Sequence, residues 1–132
     1  MTSEMDLRDM AVVNVASVPQ RSPFRYPGGK TWFVPMLRCW LASLPSRPSE
    51  FCEPFAGGGI AGLTVAFENL ADTVTLVELD EDVASVWTTI LDGESQWLCD
   101  RILSFDMTVD NVEAVLNRSA ESLRERAFAT IL

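Results

Sequence analysis

Between residues 31 and 44 (TWFVPMLRCWLASL) apolar side chains recur at Phe33, Met36, Leu37, Trp40, Leu41 and Leu44, the spacing of one helix face. Pro35 fits such a helix only in its first turn, and Pro45 and Pro48 bar its continuation. The pattern then shortens. Residues 50–55 form a brief strand candidate that runs into Gly57, Gly58 and Gly59, and residues 60–70 return to helical spacing. Residues 73–79 (TVTLVEL) are rich in β-branched side chains and bounded by charge, which predicts a second, well-buried strand. A strand, glycine turn, helix and strand within about 30 residues has the length of a parallel βαβ crossover.

After Asp80 the pattern is helical throughout, over residues 82–91 and 94–105, then in segments opened by Asp110 and by Ser122. Glu113 and Glu125 each stand three positions after those openers, the spacing of a capping box. The last pattern (AFATIL) reaches Leu132 without a Gly, Pro or basic stop signal, so the chain reads as continuing. Residues 1–22 alternate weakly and lead into Pro23, which predicts a flexible arm before one domain at 23–132.

Composition narrows the function classes. With 48% hydrophobic residues among 132, the chain can bury a core, and it has no apolar run long enough to cross a membrane. An acidic N-terminus without a signal-peptide pattern points to the cytoplasm. Cys39, Cys52 and Cys99 are too far apart for a CxxC pair and read as buried, inert thiols, so no metal site is expected. There is no histidine, which removes Ser-His-Asp and Cys-His nucleophiles. Residues 1–49 carry six basic and three acidic groups, residues 50–132 four basic and sixteen acidic. Such an acidic chain does not bind nucleic acid unaided.

Two constellations carry candidate chemistry. In Glu53-Pro54-Phe55-Ala56-Gly57-Gly58-Gly59, glycines at a strand-to-helix turn let a ligand approach the backbone, and the helix start offers free N–H groups. Gly57, Gly59 and Gly62 also satisfy G-x-G-x-x-G, and Glu78 ends the next strand at a distance suited to a ribose-binding carboxylate. A structural tight turn is the plainer alternative. The second is Phe24-Arg25-Tyr26-Pro27-Gly28-Gly29-Lys30, which holds the only tyrosine and the only lysine of the chain. Pro-Gly-Gly alone is a turn signal; a flanking aromatic and cation can also stack on and pair with a ligand.

RYPGGK, EPFAGGG and VELDEDVASVW, in that order, resemble the N-terminal third of the Dam-like DNA adenine-N6 methyltransferases, over about residues 22–91 and more loosely to Leu132. The resemblance implies an α/β chain with a partial Rossmann-like S-adenosylmethionine-dependent methyltransferase fold, truncated before the later strands of the sheet. It implies a cofactor pocket for S-adenosyl-L-methionine: Tyr26, Gly28 and Lys30 line it, Glu53, Phe55, Gly57 and Gly59 surround the methionine part, Glu78 binds the ribose and Leu79 meets the adenine. The family's catalytic tetrapeptide, an Asp, Asn or Ser followed by Pro-Pro and an aromatic, is absent, because no two of the seven prolines are adjacent. No catalytic residue is therefore assigned. The resemblance implies double-stranded DNA as partner through a further C-terminal part or a partner chain, with a second subunit or self-association covering exposed sheet edges. A degenerate scaffold or regulatory subunit, and a dinucleotide-binding fragment of an oxidoreductase, are the alternatives.

Overall fold

The computed structural model describes residues 15–132. The chain divides into two compact units, Met1–Val77 and Glu78–Leu132. It is a mixed α/β chain whose sheet, among the described residues, has two parallel strands. The first part of the expected arm lies outside the described residues. Its remainder is fastened down: Val18 is buried after the turn Val15–Ser17, and Arg21 pairs with Glu68.

In the first unit a 3-10 turn, Thr31–Phe33, leads into α1, Val34–Ala42. Pro35 sets this boundary, because a residue without an N–H is accommodated only in the first helical turn. The helix closes when Ser43 N–H bonds back to the Cys39 carbonyl. Strand β1, Glu50–Pro54, pairs in parallel with β2, Thr73–Val77, and α2, Ile60–Phe67, connects them. Leu37 and Leu41 of α1 meet Ala61 and Val65 of α2, with Ala71 completing the core and Phe33, Phe51 and Val74 packed against it. Each large aliphatic buried there contributes about 1.5–3 kcal/mol relative to exposure.

β2 differs from expectation in two ways. It stops at Val77, two residues early, because Pro54 ends β1 opposite Val77 and the Ala56 N–H takes the last carbonyl. It is also not well buried: Thr73 and Val77 are exposed and the residues between are half-buried, since a strand with one neighbour is covered on fewer sides. The cysteines, too, are exposed. Cys39 lies off the α1 face that buries Leu37 and Leu41, Cys52 alternates with buried Glu53, and Cys99 follows the inward Leu98.

The second unit is helical. Asp80 caps α3, Glu81–Thr89, accepting the N–H groups of Asp82 and Val83. A π turn, Ile90–Glu94, with Gly93 at φ +89, separates α3 from α4, Ser95–Leu103. The next helix, α5, Val109–Leu116, is capped by Thr108 and not by Asp110, which lies inside its first turn. Ser122 caps α6, Leu123–Ile131, through the Glu125 N–H, but Glu125 reaches back to the N–H of Glu121, one residue before the cap. In this unit α6 packs on α3 and α4, with Ala127 and Phe128 buried. No helix among the described residues is long and apolar enough to cross a membrane, and no cluster of His, Cys, Asp or Glu there could hold a metal.

The end of α2 ties the first unit together. Asn69 adopts a left-handed φ of 56°, its N–H bonding the Ala66 carbonyl and that of Leu70 bonding Val65, the double closure of a Schellman motif. Glu68 at the C-cap would oppose the helix dipole by itself. Arg38 and Arg21 both bind its carboxylate, with Arg38 Nε at 2.8 Å and Arg21 Nη1 at 2.9 Å. The Arg38 hydrogen bonds hold the Glu68 carboxyl below its ordinary value, and Arg21 adds to this against the opposing effect of burial. A depressed folded-state value stabilises the fold above the unfolded carboxyl's value, and that contribution is lost as pH falls through the folded one. Urea unfolding of Arg38→Gln should therefore show a smaller drop in midpoint between neutral pH and about pH 3 than the parent shows; an unchanged drop would remove Glu68 as a source of acid sensitivity.

Candidate functional site

Glu53 is the one residue of β1 that is fully buried, at 3% exposure, since strand alternation turns it inward between Cys52 and Pro54. A buried carboxylate needs partners. Its Oε2 accepts the Gly62 N–H at 2.6 Å, and its Oε1 accepts from Lys30 Nζ at 2.8 Å. Gly62 is the third residue of α2, whose own N-cap, Gly59, has no side chain to offer. Glu53 thus caps α2 from the neighbouring strand, with its charge at the positive end of the helix dipole.

This approach requires a glycine at 62. A Cβ there would lie 2.5 Å from Leu76 Cδ2 and 2.9 Å from Glu53 Oε2, so any side chain would displace the Leu76 side chain and the carboxylate itself. The G-x-G-x-x-G spacing named Gly62 without revealing that its N–H bonds the carboxylate.

The turn from β1 to α2 contains three left-handed residues, Phe55 (φ 59), Gly57 (φ 52) and Gly59 (φ 66). The glycines adopt this freely; Phe55 does so at a cost of about 1–2 kcal/mol. Its position is held because its carbonyl accepts from Lys30 Nζ at 2.6 Å and the next N–H, of Ala56, bonds Val77. The Phe55 ring is left 80% exposed. Tyr26 packs directly on Gly57, where a Cβ would come within 2.7 Å of its ring.

The structure therefore gathers Tyr26, Lys30, Glu53, Phe55, Gly57 and Gly59 into one place. Gly28, at φ +77 with open space where a Cβ would be, makes the turn of its loop. Glu78 and Leu79 begin the second unit, Glu78 accepting the Asp80 N–H at 3.0 Å and Leu79 lying exposed. Missed by the sequence reading is a cleft of 370 Å³ beside Lys30 and Glu53, lined also by Phe33, Trp40, Phe51 and Cys52. Phe33 and Trp40 share the helical period and so looked like core, yet Trp40 is half exposed.

Chemically, the cluster has one donor to offer an anionic group. Glu53 has both oxygens engaged, whereas Lys30 uses two of its three N–H donors and remains partly exposed, leaving one for an anionic group. Tyr26 and Phe55 offer aromatic surface nearby.

Gly62→Ala should lower stability by about 1–3 kcal/mol in urea unfolding. Gly29→Ala, whose methyl would meet only the Tyr26 carbonyl at 3.6 Å, should stay within about 0.5 kcal/mol. Equal effects at both positions would show that the helix-to-strand approach at Gly62 is not a constraint.

Among known proteins, this chain matches no family model, no curated protein and no solved structure.

Proposed function

We propose that this chain is the S-adenosylmethionine-binding portion of a site-specific DNA adenine methyltransferase, built on part of a Rossmann-like methyltransferase fold. The observation that carries the reading is the bond from Lys30 to Glu53 and to the Phe55 carbonyl. It joins the RYPGGK loop to the EPFAGGG turn, two motifs separated in sequence that the family resemblance assigns to a single cofactor pocket.

The residues suit that cofactor. The remaining Lys30 donor fits its carboxylate. The exposed Tyr26 and Phe55 rings fit beside a positively charged sulfonium. Gly57 and Gly59 keep the backbone open to a close ligand. The roles that the resemblance gives Glu78 at the ribose and Leu79 at the adenine are retained in the proposal. When bound, S-adenosylmethionine supplies an electrophilic methyl group, and the chain's own residues orient the donor and do not transfer protons. Holding the flipped adenine and contacting DNA fall to residues outside this chain, in line with its missing Pro-Pro tetrapeptide and its net charge of −9.

Calorimetry should detect saturable binding of S-adenosylmethionine or its demethylated product. Phe55→Ala, at an exposed side chain, and Glu78→Ala, at a half-buried one, should weaken it about tenfold, with circular dichroism verifying that the fold is intact. The purified chain should transfer no methyl group to DNA. Binding of NADH with no response to the methyl donor would overturn the assignment, and methylation by the chain alone would overturn the division of labour.

A further inference from the structure

Residues 50–132 hold four arginines among sixteen acidic residues, so each arginine has an abundance of carboxylates to pair with. Two of them do so: Arg124 meets Glu94 at 3.1 Å, and Arg126 meets Glu81 at 3.1 Å and Asp82 at 3.7 Å. Arg101 and Arg118 form no ion pair among the described residues. Both instead line one pocket of 220 Å³ within the second unit.

Arg101 reaches it from α4 and Arg118 from the segment after α5. Val115, Phe128 and Ala129 give it an apolar wall. The Arg101 guanidinium is held in place by aromatic contacts, 4.5 Å from the centroid of the Phe128 ring and 5.4 Å from that of Phe105. Those two rings meet edge to face at 5.2 Å. Stacking of this kind fixes the guanidinium plane while leaving its N–H groups available in that plane. Two glutamates also border the pocket, but Glu125 is engaged with the Glu121 N–H at the start of α6, and neither forms an ion pair with either arginine. The lining is formally balanced, two arginines against two glutamates, but neither guanidinium is taken up by a carboxylate, so both keep N–H donors for a ligand.

We propose that this pocket binds a small organic anion, a carboxylate or a phosphate monoester with a compact apolar body. The acidic group is held by Arg101 and Arg118, and the body lies against Val115, Phe128 and Ala129. Guanidinium groups match both kinds of anion through paired N–H donors. The volume is below that of pockets for drug-sized ligands, about 300–1,000 Å³, which restricts the ligand to a small molecule. None of these residues belongs to the proposed methyl-donor site, so the two readings stand or fall separately.

Calorimetry on the full chain at low salt tests this with phenylphosphate, benzoate, inorganic phosphate and the neutral benzamide. Phenylphosphate or benzoate should bind saturably, with benzamide and inorganic phosphate each about tenfold weaker or worse, because one lacks the charge and the other the apolar body. The stronger of the two aromatic anions identifies the acidic group. Arg118→Gln should weaken binding about tenfold; Arg118 is exposed, so folding is retained, as circular dichroism would verify. Absence of saturation by either aromatic anion would overturn the proposal. So would equal binding of benzamide, equal binding of inorganic phosphate, or undiminished binding by Arg118→Gln.

Discussion

A carboxylate buried at the end of a strand, Glu53, is the constraint on which the first unit depends. Burial of a charge without compensation is costly, and here the compensation comes from two directions, the start of α2 through Gly62 and the RYPGGK loop through Lys30. Strand, helix and loop, drawn from three separate stretches of sequence, are thereby fixed to one pair of oxygens. Removing either partner would leave a charge with too few bonds, so the arrangement holds its geometry and not merely its stability. The glycine at 62 is the steric condition for it, since a side chain at that position would overlap the carboxylate and Leu76.

The same lysine links this structural role to the proposed binding role. Lys30 holds the carbonyl of Phe55, a residue in a backbone conformation that bulky side chains rarely adopt. Strain of this sort persists where the surroundings determine it, and here it has the effect of turning an aromatic ring outward beside Tyr26 and the glycine turn. A shape held so firmly, with a cationic donor still free and aromatic surface exposed, suits a preorganised holder for a small charged ligand.

Electrostatics distinguish the two ends of the chain. In the first unit four cations pair with acids at element ends: Arg21 and Arg38 at Glu68, Arg47 at Asp72, Lys30 at Glu53. In the second, capping carries the equivalent work, with Asp80, Thr108 and Ser122 each satisfying N–H groups at a helix start. Arg101 and Arg118 are consequently not needed to close any helix.

The sequence by itself determined the kinds and order of the elements through residue 91, because apolar periodicity, Pro35 and the glycine turn are local signals. Through the family resemblance of its motifs it also named Tyr26, Lys30, Glu53, Phe55, Gly57 and Gly59 as one group, together with Gly28, Glu78 and Leu79. What it left undetermined was non-local. That Glu53 caps α2 depends on a strand lying against a helix nine residues away, and no local pattern encodes that distance. The exposure of β2 and of the three cysteines followed from how many strands and helices cover each face, which hydrophobicity along the chain does not specify. One helix cap fell at Thr108 and not at Asp110, because Thr108 takes the extended backbone conformation and its hydroxyl accepts the Asn111 N–H. The pairing of Arg124 and Arg126, and the pocket shared by Arg101 and Arg118, were decided only by the tertiary structure, since charges of equal count in the sequence differ in what the fold brings within reach.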